Sequence, residues 1–123
     1  MAGSDLYHRV CVNFQLTTGR ARCYKRCMHA EQFLRSLGDT APPADIAVTL
    51  EALWWDAKGD WGRAHGLVDE LETPDGMAVH AYLHRKEGAD WNAEYWYKRS
   101  GKSYYRPALE AEWNALVEGL TER

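Results

Sequence analysis

KGDWGRAHGLV, residues 58–68, is the stretch on which the reading of the whole chain turns. Gly59 is a residue that ends helices and Asp60 a side chain that caps the next one. Trp61, Ala64, Val68 and Leu71 then fall on one helical stripe. The stretch predicts a helix that stops and a second that starts within a few residues, so that the two fold back on each other. EGADWNAEYWY, residues 87–97, repeats the arrangement, since Gly88 precedes Ala93 by five positions as Gly59 precedes Ala64. The common offset of 29 also pairs Ala52 with Ala81, Trp54 with Leu83, Leu67 with Trp96 and Val68 with Tyr97. In each unit a glycine ends the first helix and a small residue lets the second lie close. A larger side chain one turn later fills the groove.

Outward from this pair, HAEQFLRSLG (29–38) places Phe33, Leu34 and Leu37 at helical spacing before Gly38. DTAPPAD (39–45) is a loop whose prolines delay the next helix until Asp45, or the Pro–Ala turn just before it. That helix carries Leu50, Leu53, Trp54 and Ala57, and ETPDG (72–76) reads as a turn. One helix then ends at Gly88 and another runs from about Asp90 to Gly101. A last helix spans EAEWNALVEGL (110–120), with Trp113, Leu116, Val117 and Leu120 as its apolar stripe. Trp54, Trp61, Trp96 and Trp113 fall on inner stripes and are assigned to the core, whereas Trp55 and Trp91 fall off them and are candidates for a binding surface or a dimer contact.

KGDWGRAHGLV and EGADWNAEYWY resemble the link between paired helices in the tetratricopeptide repeat and its short helical-repeat relatives. The likeness covers roughly residues 44–101. It departs from that family in period, 29 here against about 34 there. WDAKGDW and HAYLHRKEGAD also resemble a family of small bacterial proteins, a likeness that implies no particular activity. Because about three units are needed for a stable solenoid, two units require closing helices at 29–37 and 105–121. The expected fold is therefore all-α and tetratricopeptide-like. It is a compact bundle of about five helices in antiparallel pairs over residues 28–123, with a loosely attached N-terminal extension over 1–27.

Composition agrees with one domain of a soluble protein. The chain has 123 residues, 46% hydrophobic and 27% charged, with no apolar run of membrane-spanning length and no secretion signal pattern. Residues 1–27 hold five basic residues against the single acid Asp5, and all three cysteines, Cys11, Cys23 and Cys27. Their RVCVNFQLTTG stretch (9–19) has a strand period. A knuckle of Cys23, Cys27 and His29 with Cys11 lacks the second close pair that a zinc site of that kind uses, so a disordered extension or a single strand is the expectation. Three cysteines without an even pairing scheme fit reduced thiols in a cytoplasmic compartment. From Met28 on, 17 acidic residues face 10 basic ones. That balance argues against nucleic acid, whose phosphates require clustered lysine and arginine.

HAYLHRKEG (80–88) carries the chemistry. Histidines four apart on a helix reach one metal ion, as in the H-E-x-x-H zinc motif. Here Ala81, Tyr82 and Leu83 stand between, so the glutamate base of that motif is missing. Glu87, one turn beyond His84, is a candidate third ligand to join His80 and His84, and His65 a fourth. The competing reading needs no metal: each histidine is packed and tied to a carboxylate or carbonyl. The helical-repeat resemblance implies something else again, that the first helix of each pair lines a concave binding surface. That would place Asp56, Tyr82, Arg85 and Lys86 on or near a ligand-docking face, where Arg85 offers a planar fork and Lys86 a point charge. KRSGKSYYR (98–106) is a further candidate for holding an anion, without the context of a phosphate-binding loop.

The leading expectation is a helical-repeat module that docks a peptide or partner protein, with a homodimer allowed and neither membrane nor nucleic acid involved. The alternative is an enzyme, metal-dependent or acid–base, using His80, His84 and Glu87. No nucleophile-and-base constellation is present, so no catalytic residue is assigned, and a divalent metal is the one cofactor considered.

Overall fold

The computed structural model describes residues 28–102 and 107–121. Among these there are six α-helices and no strand: α1 (Ala30–Ser36), α2 (Val48–Ala57), α3 (Trp61–Val68), α4 (Pro74–Lys86), α5 (Asp90–Ser100) and α6 (Leu109–Leu120). They form a compact all-α bundle, the expected class. Its strongest contacts are α2 against α3 and α4 against α5, each pair antiparallel across a three-residue link.

Both links end the first helix with the same cap. Asp60 N donates to Trp55 O and Gly59 N to Asp56 O; 29 positions on, Ala89 N donates to His84 O and Gly88 N to Arg85 O. Gly59 and Gly88 have φ of 91° and 93°, in the left-handed region that a Cβ disfavours. The Asp60 carboxylate caps α3 by accepting from Arg63 N, as its position in the sequence predicted. Matched positions are buried alike: Ala52 with Ala81, Ala64 with Ala93, Trp54 with Leu83, and Val68 with Tyr97.

Two boundaries differ from expectation. ETPDG is not a free turn, because Pro74 opens α4 and the Thr73 hydroxyl caps it by accepting from Gly76 N at 3.0 Å. Proline suits a first helical position, where its missing N–H would have had no partner in any case. Asp45 does not start α2, which begins at Val48 behind Ala47. Asp45 instead has φ 62°, a conformation that aspartate tolerates better than most residues.

Helix α4 is the axis of the molecule. It touches α2, α3, α5 and α6, and every residue from Gly76 to His84 is buried. Helices α1 and α6 close the two pairs. Trp54 Nε1 donates to Ser36 Oγ at 3.0 Å, Trp113 Nε1 donates to Leu53 O at 3.1 Å, and the Phe33 and Trp113 rings lie 6.1 Å apart. Trp54 is fully buried, and removing an indole of that kind from a core costs about 3–5 kcal/mol. Among the described residues no helix is long and apolar enough to cross a membrane. The strand-patterned stretch and cysteines of residues 1–27, and positions 103–106 of KRSGKSYYR, lie outside the described residues.

Candidate metal centre

A helix buried on all sides normally carries apolar residues all round. Helix α4 breaks that rule on two opposite faces, and each face meets polar partners from a different neighbour.

On one face His80 and His84 meet His65 of α3. His80 Nε2 lies 3.1 Å from His65 Nε2 and 3.1 Å from His84 Nε2. The ring centroids form a nearly equilateral triangle with sides of 4.8, 4.8 and 5.0 Å. Each histidine offers one ligand atom, and the three atoms lie within 4.8 Å of one another. His80 and His84 are buried and His65 is partly exposed. Local packing explains how α3 delivers its histidine. Ala64 brings the helices close, and Trp61 Nε1 donates to Leu83 O at 2.8 Å, setting the register of α3 on α4. Aromatic walls hold the rings: Trp61 stacks on His65 at 4.8 Å, and Trp96 of α5 stacks on His80 at 4.4 Å.

Hydrogen bonding alone does not account for this cluster. An imidazole nitrogen carries one proton or one in-plane lone pair, so His80 Nε2 cannot serve both of its neighbours. His84 Nδ1 lies 2.8 Å from Glu87 Oε2 and donates to that carboxylate, which leaves its Nε2 with a lone pair. His80 Nδ1 is buried with no hydrogen-bond partner. A cation between the three nitrogens would take a lone pair from each and so remove the competition at His80 Nε2. Nitrogens bound about 2.0–2.1 Å from one tetrahedral zinc ion are about 3.3–3.4 Å apart, close to the 3.1 Å that separates His80 Nε2 from each of its two neighbours. Burial first, then the neighbouring histidines, lowers the pKa of His80 from 6.5 to about 4. Burial, then His84, lowers that of His65 as well. Both rings are neutral at pH 7 and able to donate lone pairs.

Of the expected set His80, His84 and Glu87, the structure brings the two histidines together with His65. Glu87 meets the far nitrogen of His84, facing away from the convergence point. A carboxylate in that place orients the imidazole ring, a role carboxylates commonly play behind metal-bound histidines.

On the opposite face stand the residues expected to dock a ligand, and they largely bind one another. Tyr82 Oη donates to Asp56 Oδ2 at 3.2 Å and Lys86 Nζ lies 2.9 Å from Asp56 Oδ1. Arg85 Nη1 pairs with Glu112 Oε1 at 2.6 Å, and Arg85 Nη2 donates to Pro107 O at 2.7 Å. The second oxygen of Glu112 accepts from Tyr97 Oη at 2.5 Å. Burial and the Asp56 carboxylate push the Tyr82 hydroxyl pKa upward. Asp56, Tyr82 and Lys86, together with Trp113 and Leu109, line an open cleft of about 410 Å³. Of the two tryptophans placed off the stripes, Trp91 is 77% exposed. Trp55 is half-buried beneath the Arg63 guanidinium, 4.0 Å from its ring. Lys102 and Arg99 from KRSGKSYYR pair with Asp75 and Glu72.

The sequence pattern did not reveal the histidine-stacking role of Trp61 and Trp96, although Trp61 stands one turn before His65 and so carried a local signal. Compared with known proteins, the chain matches no family model, no curated protein and no solved structure.

Proposed function

We propose that this protein binds one divalent first-row transition metal ion through the Nε2 atoms of His65, His80 and His84. The observation that carries the reading is the approach of two imidazole nitrogens, His65 Nε2 and His84 Nε2, to a third, the buried His80 Nε2, for which both compete. Imidazole donors favour zinc, copper, nickel or iron over magnesium or calcium, which take oxygen ligands. Glu87 holds His84 in the tautomer that presents Nε2, and the two stacked indoles keep the other rings from turning away.

A module docking a peptide or partner protein, the leading expectation from the sequence, would use the cleft beside Asp56, Tyr82 and Lys86. There the polar atoms already satisfy one another, so the histidine cluster supports the stronger reading. Matched burial and matched helix caps at an offset of 29 support reading the two helix pairs as a duplicated helical unit.

Calorimetric titration of chelator-treated protein with zinc tests the proposal, and one ion per chain is the expected result. His65→Ala, His80→Ala and His84→Ala should each weaken binding by about 100-fold or more, beyond the effect typical of losing an outer-shell partner. Circular dichroism of each variant checks that the helices persist. Folded wild-type protein that takes up no zinc, cobalt, nickel or copper would refute it.

A further inference from the structure

We infer that the ion in this centre keeps a fourth coordination position open to solvent, where water or a small inorganic anion binds. The inference rests on the three-histidine reading and adds to it the kind of ligand that the protein leaves room for.

Three observations converge. First, the cluster among the described residues offers three ligand atoms, one short of a closed tetrahedral site. The nearest candidate to complete it, Glu87, is turned to the outer nitrogen of His84 and is 41% exposed there. Second, the centre is not sealed. His80 and His84 are buried, His80 against Trp96 of α5, whereas His65 is partly exposed on α3. The helix surface beside His65 is bare: Gly62 and Gly66 flank it, and a Cβ at either would meet nothing within 4 Å. Third, the donor set is neutral. Three uncharged imidazoles leave the ion's double charge intact, offset in the outer shell by Glu87 alone among the hydrogen-bonded partners of the three rings. An ion in that state attracts anions and makes bound water more acidic. Closed structural zinc sites use four protein ligands, usually with cysteine thiolates that cancel the charge, whereas sites that work on an incoming molecule keep three.

Asp69 is a second carboxylate, besides Glu87, whose charge reaches the cluster. It follows His65 by one helical turn, is exposed, and its charge acts on both His65 and His80. It makes no hydrogen bond to the cluster among those described.

Cobalt(II) provides the test, since its visible absorption reports both binding and coordination. The folded protein is loaded with one equivalent of cobalt(II) and titrated with sodium azide. A saturable, one-to-one change in the cobalt bands on adding azide is the expected result. Cobalt that binds stoichiometrically but whose spectrum ignores azide would overturn the open position while leaving the metal centre standing. Azide sensitivity that appears only in Asp69→Asn would overturn it too, by identifying Asp69 as the fourth ligand. Failure to bind cobalt, zinc, nickel or copper at all would remove both the centre and this inference.

Discussion

His80 is the residue at which the competing interpretations separate. Its Nε2 faces two histidines, so a purely structural role leaves that nitrogen over-committed, whereas its buried Nδ1 has no polar partner under either reading. A buried unsatisfied polar atom costs about 1–3 kcal/mol, which a stable protein retains where another requirement outweighs it. Glu87 supplies the complementary case, a carboxylate tied to the outer nitrogen of His84 and turned away from the three that converge. Removing it should leave three nitrogens in place but free the His84 ring to turn. Glu87→Ala is therefore expected to lower zinc affinity by about 10–100-fold, with helix content unchanged by circular dichroism. An affinity loss as large as that of His84→Ala would instead make Glu87 a direct ligand. The spacing of His80, His84 and Glu87 was visible in the sequence because all three share one helix. Which nitrogen each residue faces was not, since that depends on rotamers chosen by packing.

Among the elements, α4 decides most. Its N-terminal turn is built from Thr73, Pro74 and Gly76, and the glycine is there for space. A Cβ at Gly76 would stand 2.6 Å from Leu71 Cγ and 2.8 Å from Leu71 O, and the carbonyl belongs to backbone that cannot swing aside. Gly76→Ala should thus destabilise the protein by about 1–3 kcal/mol despite alanine's better helix propensity. A chemical denaturation midpoint equal to or above that of the wild type would contradict the crowding argument. Helix α3 is the second decisive element. It is short, with eight residues, and is pinned to α4 by the Trp61–Leu83 hydrogen bond, so the placement of His65 depends on an indole four positions earlier. Gly59 and Gly88 told where the helices end. Neither told that α4 would be enclosed by four neighbours.

For the whole molecule, burying His80 beside His65 couples metal-free stability to pH. His80 has its pKa lowered to about 4 from an ordinary 6.5, and that of His65 is lowered too, with Asp69 opposing both shifts in part and Glu87 that of His65. Between pH 6.5 and 4 the unfolded chain binds more protons than the folded one, so stability rises with pH across that window. The contribution is full above pH 6.5 and is lost as the pH falls toward 4. It is on the order of 3 kcal/mol for His80. Urea midpoints of chelator-treated protein should drop between pH 7 and 4.5, and His80→Gln should lose part of that dependence. An identical slope in the variant would show that the acid sensitivity lies elsewhere. By itself the sequence determined the all-α class, the helix ends at Gly59, Gly88 and Gly101, and the division into pairs. Those depend on local rules: a 3.6-residue period, a capping side chain and a glycine free to turn left-handed. Only the tertiary structure decided that His65 completes the trio, that Glu87 stands behind it, and that Asp56, Tyr82 and Arg85 bind inward. Such outcomes arise where separate helices meet, and the face that each turns to its neighbour follows from how all of them share one core.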